Sequence, residues 1–324
     1  MTILTDLRDR TRTWHRGSLR CAQAFAVITV LCVLAMLIDQ RTLGGAPIWA
    51  KPFKFAVSGA LYFFTWSWLV SLLPKFRRTA GWLANGLVVL FAAEYVLMVF
   101  QAVRVRASHF NYETPLDYVI FQVMGGMVAT LWLINLALTV GVMFTRLPDR
   151  ATTWAARIGA ILGVIGLSVA TLMSGPTPDQ QAALAATGQS AMIGAHTVGL
   201  PDGGPGLPIL GWSTVGGDLR IPHFIGLHGL QALPLIALAL GLLATRYPRL
   251  RDGVLRLRLV VIAGIGYAGL LALLTWQALR GQSIVAPDGS TLTAFALLVA
   301  GVAFSGLIAI GRPSKDRELE VSVR

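Results

Sequence analysis

The sequence predicts an all-α, polytopic membrane protein, and three observations predict it. The 324 residues are 55% hydrophobic and 13% charged, against roughly 45–50% and 25% in soluble domains. Apolar runs of about 20 residues, each enough to cross about 30 Å of hydrocarbon at 1.5 Å per residue, recur along the whole chain. The 27 Lys and Arg gather in alternate loops, the pattern by which membrane proteins set their orientation. The net charge of +12 therefore records topology: the expected partner is the lipid bilayer, with a small-molecule or lipid ligand, and no nucleic acid. The sequence does not fix an oligomeric state.

Eight spans are expected, at residues 21–38, 55–73, 82–103, 117–144, 155–173, 223–244, 257–279 and 291–310. Residues 1–20 form a cytoplasmic N-terminal segment, 21–310 the eight-helix domain and 311–324 a solvated tail. The first span follows Arg8, Arg10, Arg12, Arg16 and Arg20 and ends at Ile38-Asp39-Gln40-Arg41 without a small-residue cleavage pattern, which makes it a retained anchor, not a signal peptide. Cys21 and Cys32 lie eleven residues apart on that helix, about 16 Å by helical rise and too far to pair. The second span is preceded by Trp49, Lys51, Pro52 and Lys54; the aromatics of 62–68 read as core or lipid-facing. The third carries Glu94 at mid-membrane and Gln101 on nearly the same face. Residues 104–117, polar and ending at the helix-starting Pro115, have the makeup of a lid. Gly159 and Gly163 in the fifth span, and Gly264, Gly266 and Gly269 in the seventh, are helix-packing surfaces.

Residues 174–222, rich in glycine and proline, are expected to form an ordered extracytoplasmic cap, with a short surface helix over 179–193. The sixth span opens Pro222-His223-Phe224-Ile225-Gly226-Leu227-His228-Gly229, where the glycines would admit a helix or a flat cofactor to the backbone. Loop charges place 20 Lys and Arg on one side and seven on the other, so both termini should face the cytoplasm of a cell-membrane protein.

The third span ends Gln101-Ala102-Val103-Arg104 and the seventh Gln277-Ala278-Leu279-Arg280, 176 residues apart. The second and sixth open on Lys51-Pro52-Phe53-Lys54 and Ile221-Pro222-His223-Phe224 at nearly the same offset. Together they point to a 4+4 parallel repeat, a plan known among transporters.

Ionisable groups inside a bilayer cost several kcal/mol and mark function. Glu94, Gln101 and Asp218 are the candidate catalytic residues. His228, His223, His109 and Gln231 are candidates for holding a haem or divalent metal, with His223, His228 and Glu94 as metal ligands and His196 as a further donor. His223 and His228, five residues apart, lie about 140° apart around a helix and cannot chelate one ion alone. Lys51, Lys54, Arg104, Asn111 and Arg220 are candidates for binding a small anionic substrate.

The segments Trp49-x-Lys51-Pro52-x-Lys54-Phe55, Ser108-His109-Phe110-Asn111 and Pro222-His223-Phe224-x-Gly226-Leu227-His228-x-x-Gln231 resemble uncharacterised multi-pass membrane proteins of bacteria, particularly actinobacterial ones. That resemblance implies an architecture and no activity. The eight-span 4+4 plan is also similar to haem A synthase, whose haem ligands are histidines in the second and fourth spans of each half. Here those helices carry only His228, with His223 at an end, so the similarity implies no two-haem site.

Three functions follow from these residues. The first is a metal- or haem-binding redox protein or membrane enzyme opening outward. The second is a proton-coupled transporter or receptor for a small anion, with Glu94 as the protonation site. The third is a metal-free membrane enzyme, of cyclase type, acting on a lipid or isoprenoid.

Overall fold

The computed structural model describes residues 11–73, 76–147 and 149–311. The first ten residues of the expected N-terminal segment, Lys75, and residues 312–324 of the expected tail lie outside the described residues. The chain is a helical bundle whose long helices are α1 (Arg16–Ile38), α2 (Ala50–Ser71), α3 (Arg77–Val103), α4 (Pro115–Met143), α5 (Arg150–Val169), α7 (Arg220–Leu243), α8 (Gly253–Leu279) and α9 (Gly289–Gly311). A short α6 (Pro178–Thr187) lies between α5 and α7. Two antiparallel ribbons of two-residue strands complete it, β1 (Thr42–Leu43) with β2 (Ala46–Pro47) and β3 (Thr197–Val198) with β4 (Gly217–Asp218).

Seven of these helices, α1, α3, α4, α5 with its 3-10 extension to Met173, α7, α8 and α9, are long and apolar enough to cross a membrane. Their outward faces are apolar: Ile38, Leu37, Val89 and Leu307 are each well exposed, the inverse of a soluble surface. The chain is thus a multi-pass membrane protein. The remaining expected span, α2, is not among the seven. It opens on two lysines and mixes Ser, Thr, Tyr and Trp into its length, and it is also enclosed, with Tyr62, Phe63, Trp66, Leu69 and Val70 buried.

Caps explain where the elements begin and end. His15 accepts the Ser18 amide and starts α1 at Arg16, five residues earlier than hydropathy implies. Thr114 caps α4 ahead of Pro115, and Asp149 and Asp252 cap α5 and α8. The surface helix expected over 179–193 is shorter: a Thr177/Gln180 capping box opens α6, and Gly188, at φ 71°, closes it.

Within the first half α1 packs on α2, α2 on α3, α3 on α4 and α1 on α3; within the second, α5 packs on α7, α7 on α8, α8 on α9 and α5 on α8. The halves meet where α4 lies on α5 and α2 on α7. The closest crossing is α5 on α7, where a Cβ on Gly166 would stand 2.2 Å from the Leu227 amide nitrogen. The glycine face beside His223 and His228 is therefore filled by a helix, and the flat cofactor considered for it finds no room there.

Residues 104–114 do not form a lid. Ser108, Phe110 and Asn111 are buried, and the segment runs beneath residues 191–193, joined to them by Ile193 N–H to Phe110 O and Tyr112 N–H to Ala191 O. It is an inner wall, because Ser108, His109 and Asn111 find their partners inside it, while Arg106 and Glu113 pair on its surface. Above it the cap is tied down: Gly217 sits against Ala278 at the end of α8, and Lys54 Nζ and Arg220 Nη2 donate to the Leu210 and Gly211 carbonyls at 2.6 Å each.

Candidate functional site

The first turn of α2 brings Lys51 under the 104–114 wall. Its Nζ donates to Ser108 Oγ at 2.8 Å and to His109 Nδ1 at 3.1 Å, and Ser108 Oγ lies 2.9 Å from the same ring nitrogen. An Nδ1 that accepts leaves the His109 proton on Nε2. Burial, then the Lys51 charge, then the fields of His196 and His223 hold His109 well below the ordinary imidazole value, so the ring is neutral at pH 7.

The next residue, Phe110, is buried with φ +61°, a left-handed conformation unfavourable for a bulky side chain. Its ring packs edge-on to His196 (5.1 Å) and Phe121 (5.7 Å). Gly194 makes the space, since a Cβ there would stand 2.5 Å from that ring. Strain at a wall residue between two histidines is the sort of feature that functional sites retain.

His196 is oriented by Asp202. Its Nδ1–H donates to Asp202 Oδ2 at 2.5 Å, and the carboxylate also accepts the His196 and Thr197 amides at 3.0 and 2.9 Å. Burial alone would raise Asp202, but the His196 hydrogen bond and charge and the two amides outweigh it and hold the carboxyl far below the usual range. Burial lowers His196, against the pull of Asp202. The result is an imidazole with its Nδ1 fixed and its Nε2 free to exchange protons.

Two histidines of α7 adjoin this group. His223 Nδ1–H donates to Gly166 O at 2.7 Å; His228 Nδ1–H donates to Gln231 Oε1 at 3.2 Å, and its ring stands 4.2 Å from Phe224. Gln231 Nε2 is buried without a partner among the described residues. Deeper along α3, Glu94 is 5% exposed and its Oε2 has no hydrogen-bond partner among the described residues. Lys51 is the charge that acts on it, while Asp202, Arg220 and Lys54 act on Lys51 in turn. Charge interactions thus run from Glu94 through Lys51 to His109, and on to His196, His223 and His228, with Lys51–His109 the pair in hydrogen-bond contact.

Other candidates serve elsewhere. Gln101 donates to Asp117 Oδ1 at 2.9 Å and accepts from Arg104, whose guanidinium also pairs with Asp117 at 2.8 Å; the three lock the end of α3 to the start of α4. Asp218 is fully engaged by Arg220 (2.6 and 2.9 Å) and the Ser213 amide (2.8 Å). Lys54 and Arg220 border the cluster with donors committed to the cap, and Asn111 holds its own turn through Ala107 O and the Glu113 amide. Sequence reasoning gave no role to Ser108 or Asp202. Ser108 stands inside a quoted motif, and nothing in a single sequence distinguishes Asp202 from other polar loop residues.

Among the described residues no three His, Cys, Asp or Glu side chains are grouped to hold a metal ion. His223 and His228, five residues apart on α7, hold different Nδ1 partners, Gly166 O and Gln231 Oε1. No protein-family model, curated protein or solved structure matches the chain.

Proposed function

We propose that this chain is a membrane enzyme that performs acid–base chemistry with its own side chains, in a site at the loop-bearing end of the bundle. The observation that carries the reading is the half-buried Lys51–Ser108–His109 contact, together with an Asp202-oriented His196 and the partnerless carboxyl oxygen of Glu94, on which the Lys51 charge acts. A purely structural network would satisfy its buried atoms; this one leaves Glu94 Oε2 and Gln231 Nε2 buried without partners among the described residues. Of the expected readings it is closest to the metal-free enzyme on a lipid or small molecule. Among the described residues no three-residue donor set is grouped for a metal ion, which favours this reading over a resident divalent metal.

The reading includes α2 as an eighth span, in a 4+4 plan with both termini cytoplasmic and the site on the outer face of the cell membrane. The packing of the two halves supports the repeat. Gly59 of α2 faces Phe91 of α3 as Gly229 of α7 faces Tyr267 of α8, at the offsets the sequence motifs give. Arg104 lies over Phe100 and pairs with Asp117, as Arg280 lies over Trp276 and pairs with Asp288.

Mass spectrometry of lipid and metabolite extracts tests the enzyme reading, comparing cells that over-produce the wild type or a Glu94→Gln/His196→Ala double variant. A species that accumulates or disappears with the wild type alone is expected; indistinguishable extracts at equal protein levels would refute it.

Proton-coupled transport is a second reading, favoured by a polar group at the seam between the halves. Tyr62 OH donates to Asn135 Oδ1 at 2.6 Å beside a cavity the size of one water, and the hydroxyl of Thr139, one turn on from Asn135, has no partner among the described residues. Uptake into vesicles driven by a proton gradient and abolished in Glu94→Gln would favour it over the enzyme.

A further inference from the structure

We infer that Ser108 and Lys51 form a nucleophile–base dyad that cleaves a carboxylic ester; the inference rests on the acid–base reading above and names its reacting atom. Three observations meet at Ser108. Its hydroxyl lies 2.8 Å from Lys51 Nζ, within the reach a base needs to take its proton. Lys51 forms no ion pair with any carboxylate among the described residues; its near partners are Ser108 and the Nδ1 of a neutral His109. A half-buried lysine whose hydrogen-bond partners are neutral is placed to act as a free amine.

The third observation is in the backbone. The amide N–H groups of Ser108, His109, Phe110 and Asn111 donate to no acceptor among the described residues, and Phe110 is in the left-handed region. Successive free amides around a left-handed residue form a concave anion site, the arrangement that receives an oxyanion.

The step balances without a cofactor. Ser108 Oγ bonds to the acyl carbon while its proton passes to the Lys51 amine. The tetrahedral oxyanion collapses, the ester C–O bond breaks, and the Lys51 ammonium gives its proton to the departing alkoxide. Water then adds to the acyl carbon, losing a proton to Lys51, which returns it to Ser108 Oγ as the acid leaves. Ester and water become acid and alcohol. The cap carries exposed Leu200, Ile209 and Val215, apolar surface compatible with an ester that has a lipid-like acyl chain.

A fluorescent fluorophosphonate is the probe, applied to the full-length protein in membranes. Its phosphorus bonds to a nucleophilic serine oxygen and fluoride leaves. Peptide mapping should place the adduct on Ser108, with none in Ser108→Ala and at least a tenfold slower rate in Lys51→Met. Because both variants alter a buried contact, a second measurement uses Ser108→Cys, alkylated with iodoacetamide and followed at that peptide. Its rate should be faster with Lys51 than with Met at position 51, and the gap should narrow as pH rises. No adduct on wild-type Ser108 in membranes or detergent, or equal alkylation rates with and without Lys51, would overturn the dyad. If a wild-type-specific product in the extracts persists in Ser108→Ala, the dyad falls while the acid–base enzyme stands.

Discussion

His109 and His196 make the site's pH behaviour readable from single residues. Both have folded values below the ordinary 6.5, chiefly through burial. Near pH 6 the unfolded chain therefore binds protons that the folded chain refuses, and stability falls as pH drops from 7 through 6.5 toward the lower folded values. The slope reaches about 1.4 kcal/mol per pH unit for each histidine. Asp202, held far below its ordinary value, contributes stability that is present above about pH 4 and lost only in stronger acid. Thermal unfolding in detergent should show a lower midpoint at pH 5.5 than at 7.5, and His109→Gln should shrink that difference. A midpoint independent of pH across this range would mean that the two rings sit in water. The residue scale also shows what the sequence withholds: Glu94 is legible because a carboxylate inside an apolar run has few innocent explanations. Ser108 and Asp202 gain meaning only from contacts with Lys51, 57 positions away, and with His196 across a glycine-rich turn.

At the scale of elements, the expected helices were legible because a 20-residue apolar run has one stable form in a bilayer. Their ends were less so, since capping by His15, Thr114 and Thr177 is decided by hydrogen bonds that hydropathy does not register. Gln101 shows the same limit. Its position on the Glu94 face is right, but Arg104 and Asp117 claim its amide, and they belong to the next connection along the chain. That connection yields a contrast. Asp117 is fully buried with three side-chain partners, so Asp117→Ala should destabilise by about 3 kcal/mol. Asp288, its counterpart before α9, is more than a third exposed, and its loss should cost clearly less, mostly as a helix cap through the Thr291 amide. Chemical denaturation of the two variants in matched micelles measures the difference, and equal effects would contradict the burial. At the α5–α7 crossing the methyl of Gly166→Ala would meet the backbone of Gly226 and Leu227 at 2.2–2.6 Å. Backbone cannot step aside as a flexible side chain can, so about 2 kcal/mol or more should be lost, read as a lower melting temperature.

For the whole molecule the governing quantity is the distribution of charge across the bundle. On the topology expected from the sequence, 20 Lys and Arg lie in the loops of one side against seven on the other, which would put the loops before α5 and α8 on the cytoplasmic side and the cap with its histidines outside. That placement would decide what reaches the site: Asp202 and His196 would meet the extracytoplasmic medium, with Glu94 about 14 Å below the end of α3 by helical rise. Cysteine labelling tests this cleanly, because the two native cysteines, Cys21 and Cys32, are buried within α1. Single cysteines at Gln189 and Gly204, both exposed in the cap, and at Arg249, exposed before α8, should divide by side. A membrane-impermeant maleimide added to intact cells should modify Gln189→Cys and Gly204→Cys, and should reach Arg249→Cys only after the membrane is opened. The reverse pattern would turn the molecule over and make the site cytoplasmic, leaving its internal geometry intact but exposing it to a different set of substrates. Labelling of all three in intact cells would count against a sealed transmembrane bundle. The orientation must therefore be fixed before any substrate is sought, because an ester-cleaving site on the outer leaflet and one on the inner leaflet meet different lipids.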